Sequence, residues 1–153
     1  MVKLTDVVGA ERQYLESLDC PEMTNPTVLP PKALNECRVA LVSSAGLMKR
    51  SDENVRAGTA EYRTIESTTR DRDVLMNHVS VNFDRSGFAE DINCLFPRER
   101  LNELAENGVI EHAAKNHYAF MGATAPEGMQ THVDELVAEL KTKNINTVCL
   151  LPV

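Results

Sequence analysis

A chain of 153 residues, 42% hydrophobic and 25% charged, carries enough apolar material for a single-domain core, which argues against an intrinsically disordered chain. Its 16 basic and 23 acidic side chains give a formal net charge of −7. This excludes a nucleic-acid backbone or an anionic membrane as the expected partner, because both reward a basic patch.

The pattern predicts a first helix over residues 5–18, with Thr5 as its cap and Val8, Tyr14, Leu15 and Leu18 as its apolar stripe. Pro21, Pro26 and Pro30-Pro31 then mark an extended tether up to about Leu34. Residues 1–34 are therefore expected to be a helix and a proline-rich tether, and residues 35–153 an α/β domain. The run Val39-Ala40-Leu41-Val42 is apolar on consecutive positions, as in a strand buried on both faces, and empties into the small loop Ser43-Ser44-Ala45-Gly46. Residues 49–60 are polar and read as loop or weak helix, and 62–65 as a short strand. Residues 78–83 alternate, with Val79, Val81 and Phe83 on one side and His78, Ser80 and Asn82 on the other, which predicts a strand.

A helix is expected over 97–107, opened by Pro97 and stopped by Gly108. Val109-Ile110 and residues 118–121 read as short extended pieces. A further helix is predicted over 131–143, with Val133, Leu136, Val137 and Leu140 at i, i+3, i+4 and i+7. The last strand, Thr147-Val148-Cys149-Leu150-Leu151, is again consecutively apolar, so Cys149 reads as a buried thiol. Strands and helices in this order predict an α/β fold with a parallel or mixed sheet and helices on its faces, a flavodoxin- or Rossmann-like three-layer arrangement.

No run reaches the roughly 20 apolar residues of a bilayer span, and the first six residues lack the basic start and apolar stretch of a secretory signal. The four cysteines (Cys20, Cys37, Cys94, Cys149) form neither a Cys-x-x-Cys pair nor a zinc spacing. Reduced thiols in a cytoplasmic protein are the expectation, with no metal, since no i, i+3 or i+4 ligand pair lies on one helix.

Several stretches together resemble the selenoprotein B family of glycine, sarcosine, betaine and D-proline reductases. They are Ala33-Leu34-Asn35-Glu36-Cys37-Arg38-Val39-Ala40-Leu41-Val42-Ser43-Ser44-Ala45-Gly46-Leu47, and Asp91-Ile92-Asn93-Cys94-Leu95-Phe96-Pro97 with Arg100-Leu101. The others are Gly108-Val109-Ile110, His117-Tyr118-Ala119-Phe120-Met121-Gly122 and Val148-Cys149-Leu150-Leu151-Pro152-Val153. In that family the strand resembling the last piece leads into a selenocysteine-Pro-x-Cys motif. The resemblance implies an α/β domain truncated at its C-terminus, with a selenocysteine codon read as a stop after Val153.

For the complete protein the resemblance implies reductive cleavage of a C–N bond. The selenolate, from a group more acidic than a thiol of pKa about 8.5, attacks a carbon whose amino group a pyruvoyl group on a partner subunit has activated. The downstream Cys recycles the selenium. None of those groups lies in residues 1–153, so the chain as given is expected to hold no cofactor and to be inactive. A small amino acid or amine is the implied substrate, and a pyruvoyl-containing subunit the implied partner. The apolar surface left by truncation predicts a homo-oligomer, most simply a symmetric dimer.

The pocket candidates are Ser43, Ser44 and Gly46, whose backbone N–H groups suit a carboxylate, His78 and His117 for holding or protonating the substrate, and Asp84, Asp91 and Asn93 for positioning an amine or fixing a histidine. Each has a plainer alternative: a packed, hydrogen-bonded His117, an exposed His78, and turn or capping chemistry at Asp91 and Asn93. The competing function is a complete, noncatalytic α/β module that binds a small anion at its strand ends or a partner along its sheet edge.

Overall fold

The structure, a computed structural model, describes residues 3–18, 29–80 and 85–153. The chain forms two compact units, Met1–Pro31 and Lys32–Val153. Cys20, Pro21, Pro26, Val81, Phe83 and the candidate Asp84 lie outside the described residues.

The first unit holds a single 3-10 turn at Leu4–Asp6 and helix α1 at Ala10–Ser17. The continuous helix expected over 5–18 is broken because the Asp6 side chain accepts the Lys3 N–H at 3.0 Å, closing the turn on itself. Gly9 then adopts φ 74°, a conformation foreign to a right-handed helix. None of its described residues is buried.

The second unit is built on β1 (Arg38–Ser43). Two strands share one edge of β1 end to end and run parallel to it. These are β5 (His112–Ala113), opposite Arg38 and Val39, and β6 (Asn116–Ala119), opposite Val42 and Ser43. The other edge pairs in parallel with β7 (Thr147–Leu151). β3 (Arg63–Glu66) runs antiparallel along β6, which makes the sheet mixed. A separate antiparallel pair, β2 (Leu47–Lys49) and β4 (Val74–Met76), continues from the end of β1.

Alternation along β1 sends Val39 and Leu41 to one face and Ala40 and Val42 to the other. On the first face they meet Phe96, Leu101 and Ile110 around α3 (Arg98–Glu106), with the short α2 (Ser86–Glu90) nearby. On the second they meet Tyr118, Phe120, Leu136 and Leu140 beneath α4 (Pro126–Thr142). Helices thus cover both faces, and the α/β class with a mixed sheet is as the sequence predicts. Each fully buried side chain of the size of Phe96 or Leu41 contributes about 2 kcal/mol through the apolar area it removes from water.

Both long helices end in the same motif. Gly108 at φ 69° closes α3, with Val109 N–H on Leu104 C=O, and Asn144 at φ 59° closes α4, with Ile145 N–H on Leu140 C=O. α4 begins five residues before the predicted Thr131, because Pro126 occupies its first turn, where a fixed φ and a missing N–H do no harm. Of its expected stripe, Leu136 and Leu140 are buried while Val133 and Val137 stay exposed.

Three further expectations are corrected. Residues 78–80 are not a strand; the strand lies earlier, at β4, where it has β2 to pair with. Val109-Ile110 form a bend, and the extended piece comes two residues later as β5. Cys149 is exposed, because strand side chains leave through the faces and neither described core cluster covers β7 at this position as they cover β1. Leu150 is 71% exposed for the same reason. Among the described residues no helix is long and apolar enough to cross a membrane.

Candidate functional site

The loop after β1 gathers three strand ends. Ser43 C=O accepts the Phe120 N–H at 2.8 Å and Ser44 C=O accepts the Gly122 N–H at 2.9 Å, which ties in the chain leaving β6. Ser44 N–H donates to Leu151 C=O at 3.1 Å, and Val153 N–H donates to Ser44 Oγ at 2.8 Å, which ties in the chain leaving β7. Gly46 N–H donates to Phe120 C=O at 2.9 Å, and Gly46 C=O accepts the Asn77 N–H at 3.0 Å, which brings in the segment carrying His78.

Gly46 is needed on two counts. Its φ is 62°, and a Cβ there would lie 2.8 Å from Met121 Cε and 3.1 Å from His78 Cα. His78 is buried beside it, its Nδ1 accepting the Ser80 N–H at 3.1 Å. Burial lowers its pKa and the nearby Arg85 acts the same way, against the Ser80 bond, so the ring is neutral at pH 7.

Beyond the carboxyl ends of β1, β6 and β7 lies a cleft of about 410 Å³. Val42, Phe120, Met129 and Leu150 wall it, and Ser44 and Thr124 stand at its polar margin. This is where open α/β sheets bind ligands. The N–H groups of Ser44, Ala45 and Gly46 all donate to protein acceptors, Ala45 to Ser43 Oγ at 3.2 Å, so a ligand here meets side chains before backbone donors.

The other candidates lie elsewhere. His117 is fully buried, and its Nδ1 accepts the Leu41 N–H at 3.1 Å. The ring fills the gap where β5 has ended and β6 has not yet paired with β1. The edge of the ring system it forms with Phe96 is T-shaped, at 5.9 Å between centroids. Desolvation, with the Arg98 charge acting the same way, lowers its pKa to about 4. Its Nε2 has no hydrogen-bond partner among the described residues.

Asp91 caps a single turn at Ile92–Cys94, accepting both the backbone N–H and the side-chain amide of Asn93 at 2.9 Å. Those bonds, the backbone one foremost, hold its carboxyl below the ordinary range. The sequence thus supplies Ser43, Ser44, Gly46 and His78 to one place, and His117, Asp91 and Asn93 to others.

Sequence reasoning missed a polar cluster under α4. Glu139 accepts hydrogen bonds from Tyr62 Oη at 2.8 Å and Tyr118 Oη at 2.9 Å, and pairs with Lys143. Burial alone would raise the Glu139 carboxyl; Lys143 and the two tyrosines outweigh it and hold it low. Burial and the Glu139 carboxylate push Tyr62 up to about 12 and raise Tyr118 as well. Only the i, i+4 spacing of Glu139 and Lys143 signals this in the sequence. Among the described residues no three His, Cys, Asp or Glu side chains are grouped to hold a metal.

The sequence model of the glycine/sarcosine/betaine reductase selenoprotein B family matches residues 9–152. The chain is also similar to D-proline reductase subunit gamma of Acetoanaerobium sticklandii, at 28% identity over 153 residues, covering 98% of this chain and 61% of that relative. It therefore spans about three fifths of the length of the curated relative it matches. No solved structure matches it significantly. A match over nearly the full length places the chain: it belongs to the glycine/sarcosine/betaine reductase selenoprotein B family.

Proposed function

We propose that the chain forms the N-terminal α/β part of a selenium-dependent reductase that cleaves the C–N bond of a small amino acid or amine, of the glycine, sarcosine, betaine or D-proline type. The observation that carries this reading is the cleft beyond β1, β6 and β7, in a chain whose family match runs through all three strands. The family's selenocysteine would supply the nucleophile, and for the primary and secondary amines a pyruvoyl group on a partner subunit would activate the nitrogen; betaine's quaternary nitrogen is already a cationic leaving group.

The cleft fits such chemistry. Its walls are mostly apolar but Leu150 stays exposed, so the cleft is open to solvent; a covering segment or subunit would have to close it before electrostatic contacts to a charged substrate gain strength. β7 brings Leu151 and Pro152 onto the rim of the cleft, whose walls include Val42, Phe120 and Met129. Thr124 stands at the polar margin, where its hydroxyl donates to Thr59 C=O at 2.7 Å and keeps lone pairs to accept from a substrate amine. The segment carrying the buried His78 supports the loop through its backbone, Asn77 N–H donating to Gly46 C=O at 3.0 Å.

The edge of β7 is where a further subunit, or a second copy of the chain, would join. β7 carries no charged side chain and exposes Val148 and Leu150, whereas solitary edges are ordinarily guarded by charge or proline.

The test is turnover by the full-length, selenium-containing protein with its partner subunits, supplied with a dithiol and each of the four substrate types in turn. Reductive release of ammonia or the corresponding amine, or ring opening of D-proline, supports the reading. No turnover of any of them by a complex shown by mass spectrometry to contain selenium would reject it in favour of a noncatalytic module.

A further inference from the structure

We infer that Ser44 is a positioning residue that fixes the path of the chain leaving β7 across the cleft, and that Gly122 is the space that allows it. The inference rests on the reading of the cleft as the substrate pocket, and its first arm stands apart from that reading.

β1 ends at Ser43, so among the described residues the chain beyond Leu151 has no further strand to pair with. Ser44 grips it on both sides of Pro152. Its N–H donates to Leu151 C=O at 3.1 Å, the last bond of the parallel ladder, and its Oγ accepts the Val153 N–H at 2.8 Å. The hydroxyl takes the place of a backbone acceptor, because the Ser44 carbonyl faces the other way and accepts the Gly122 N–H at 2.9 Å.

Residue 122 is constrained by the same arrangement. A Cβ on Gly122 would sit 2.7 Å from Ser44 O, 2.8 Å from Ser44 Cβ and 3.1 Å from Ser44 Oγ. Two of these contacts are closer than any real Cβ makes, and one involves backbone. Any side chain at 122 therefore displaces Ser44 and with it the Val153 bond. Ser44, Gly122, Leu151 and Pro152 all line the cleft, so displacement here shifts the rim itself. On the proposed function a reacting group carried beyond β7 takes its direction from this segment.

The experiment compares Ser44→Ala, Ser44→Thr and Gly122→Ala with wild type in the full-length protein and its subunit complex. Hydrogen exchange at the Val153 amide is expected to speed up about tenfold in Ser44→Ala and Gly122→Ala, as for loss of one hydrogen bond, and to stay near wild type in Ser44→Thr. Reductase kcat is expected to fall about 10–100-fold in the first two with KM changed less than about threefold, and to recover in Ser44→Thr, as for a misplaced reacting group. Unchanged Val153 exchange in Ser44→Ala would overturn the latch. Faster exchange with unaltered kcat would overturn its positioning role. A wild-type complex without reductase activity would sink the functional reading alone, and the exchange rates would still decide whether Ser44 holds the chain.

Discussion

The Leu41 amide donates to His117 Nδ1 and not to a strand carbonyl, so a side chain completes the edge of β1 where β5 and β6 leave a gap. A histidine suits the place because its neutral ring accepts at one nitrogen while packing like an aromatic against Phe96. Replacing His117 by Ala leaves a buried amide without an acceptor and a cavity beside Phe96. A loss of about 3 kcal/mol in urea unfolding is expected.

The same residue gives the fold a pH dependence. The folded pKa of His117 is lowered from 6.5 to about 4, so the unfolded chain binds the proton more readily. Stability contributed by the neutral ring is complete above about pH 6.5 and falls as the pH drops towards 4. The change is on the order of 2–3 kcal/mol, and buried His78 acts in the same direction. Urea midpoints between pH 7 and 4 measure it, and His117→Phe is expected to flatten the slope.

Gly46 and Gly58 make a controlled pair, since both have positive φ but only Gly46 is crowded. Gly58→Ala is expected to cost about 1 kcal/mol, the conformational penalty alone. Gly46→Ala adds a clash with the His78 backbone and is expected to cost about 3 kcal/mol. Thermal melts of the two variants side by side give the comparison.

The cluster under α4 predicts a delayed tyrosine. Tyr62 ionises near 12, against an ordinary 10.0, because burial and the Glu139 carboxylate oppose a phenolate. In alkaline absorbance titration Glu139→Gln is expected to bring that ionisation earlier. Tyr62→Phe is expected to abolish it at a cost of about 1 kcal/mol in stability.

An uncharged edge at β7 predicts association. Light scattering of the purified chain is expected to show dimers or larger species, and Leu150→Lys to shift them towards monomer with an unchanged circular dichroism spectrum, since Leu150 is already exposed. A monomeric wild type at high concentration would remove the edge from the account.

What the sequence disclosed and what it withheld divide along one physical line. Consecutive apolar residues locate β1 and β7, and Pro97 with Gly108 brackets α3, because those signals are local. Whether other elements cover the faces of β7 depends on the rest of the fold, so the same apolar run reads alike for a covered and an uncovered strand, and Cys149, expected inside, lies outside. His78 is buried because Gly46 lets two backbones approach, and Tyr62 meets Glu139 across 77 positions; neither relation has a local period. Within the site, the small loop at 43–46 was legible from composition, but its role as the knot of three strand ends came only from the hydrogen bonds.

The most direct test of the central claim is to fill the cleft and measure turnover. Met129→Trp places a larger ring among Val42, Phe120 and Leu150 without touching the strands' hydrogen bonds. If the cleft is the substrate pocket of a reductase, kcat/KM of the full-length complex falls at least about tenfold while its melting temperature holds within a few degrees. An unchanged kcat/KM in the folded variant would contradict the account and move the substrate elsewhere on the protein.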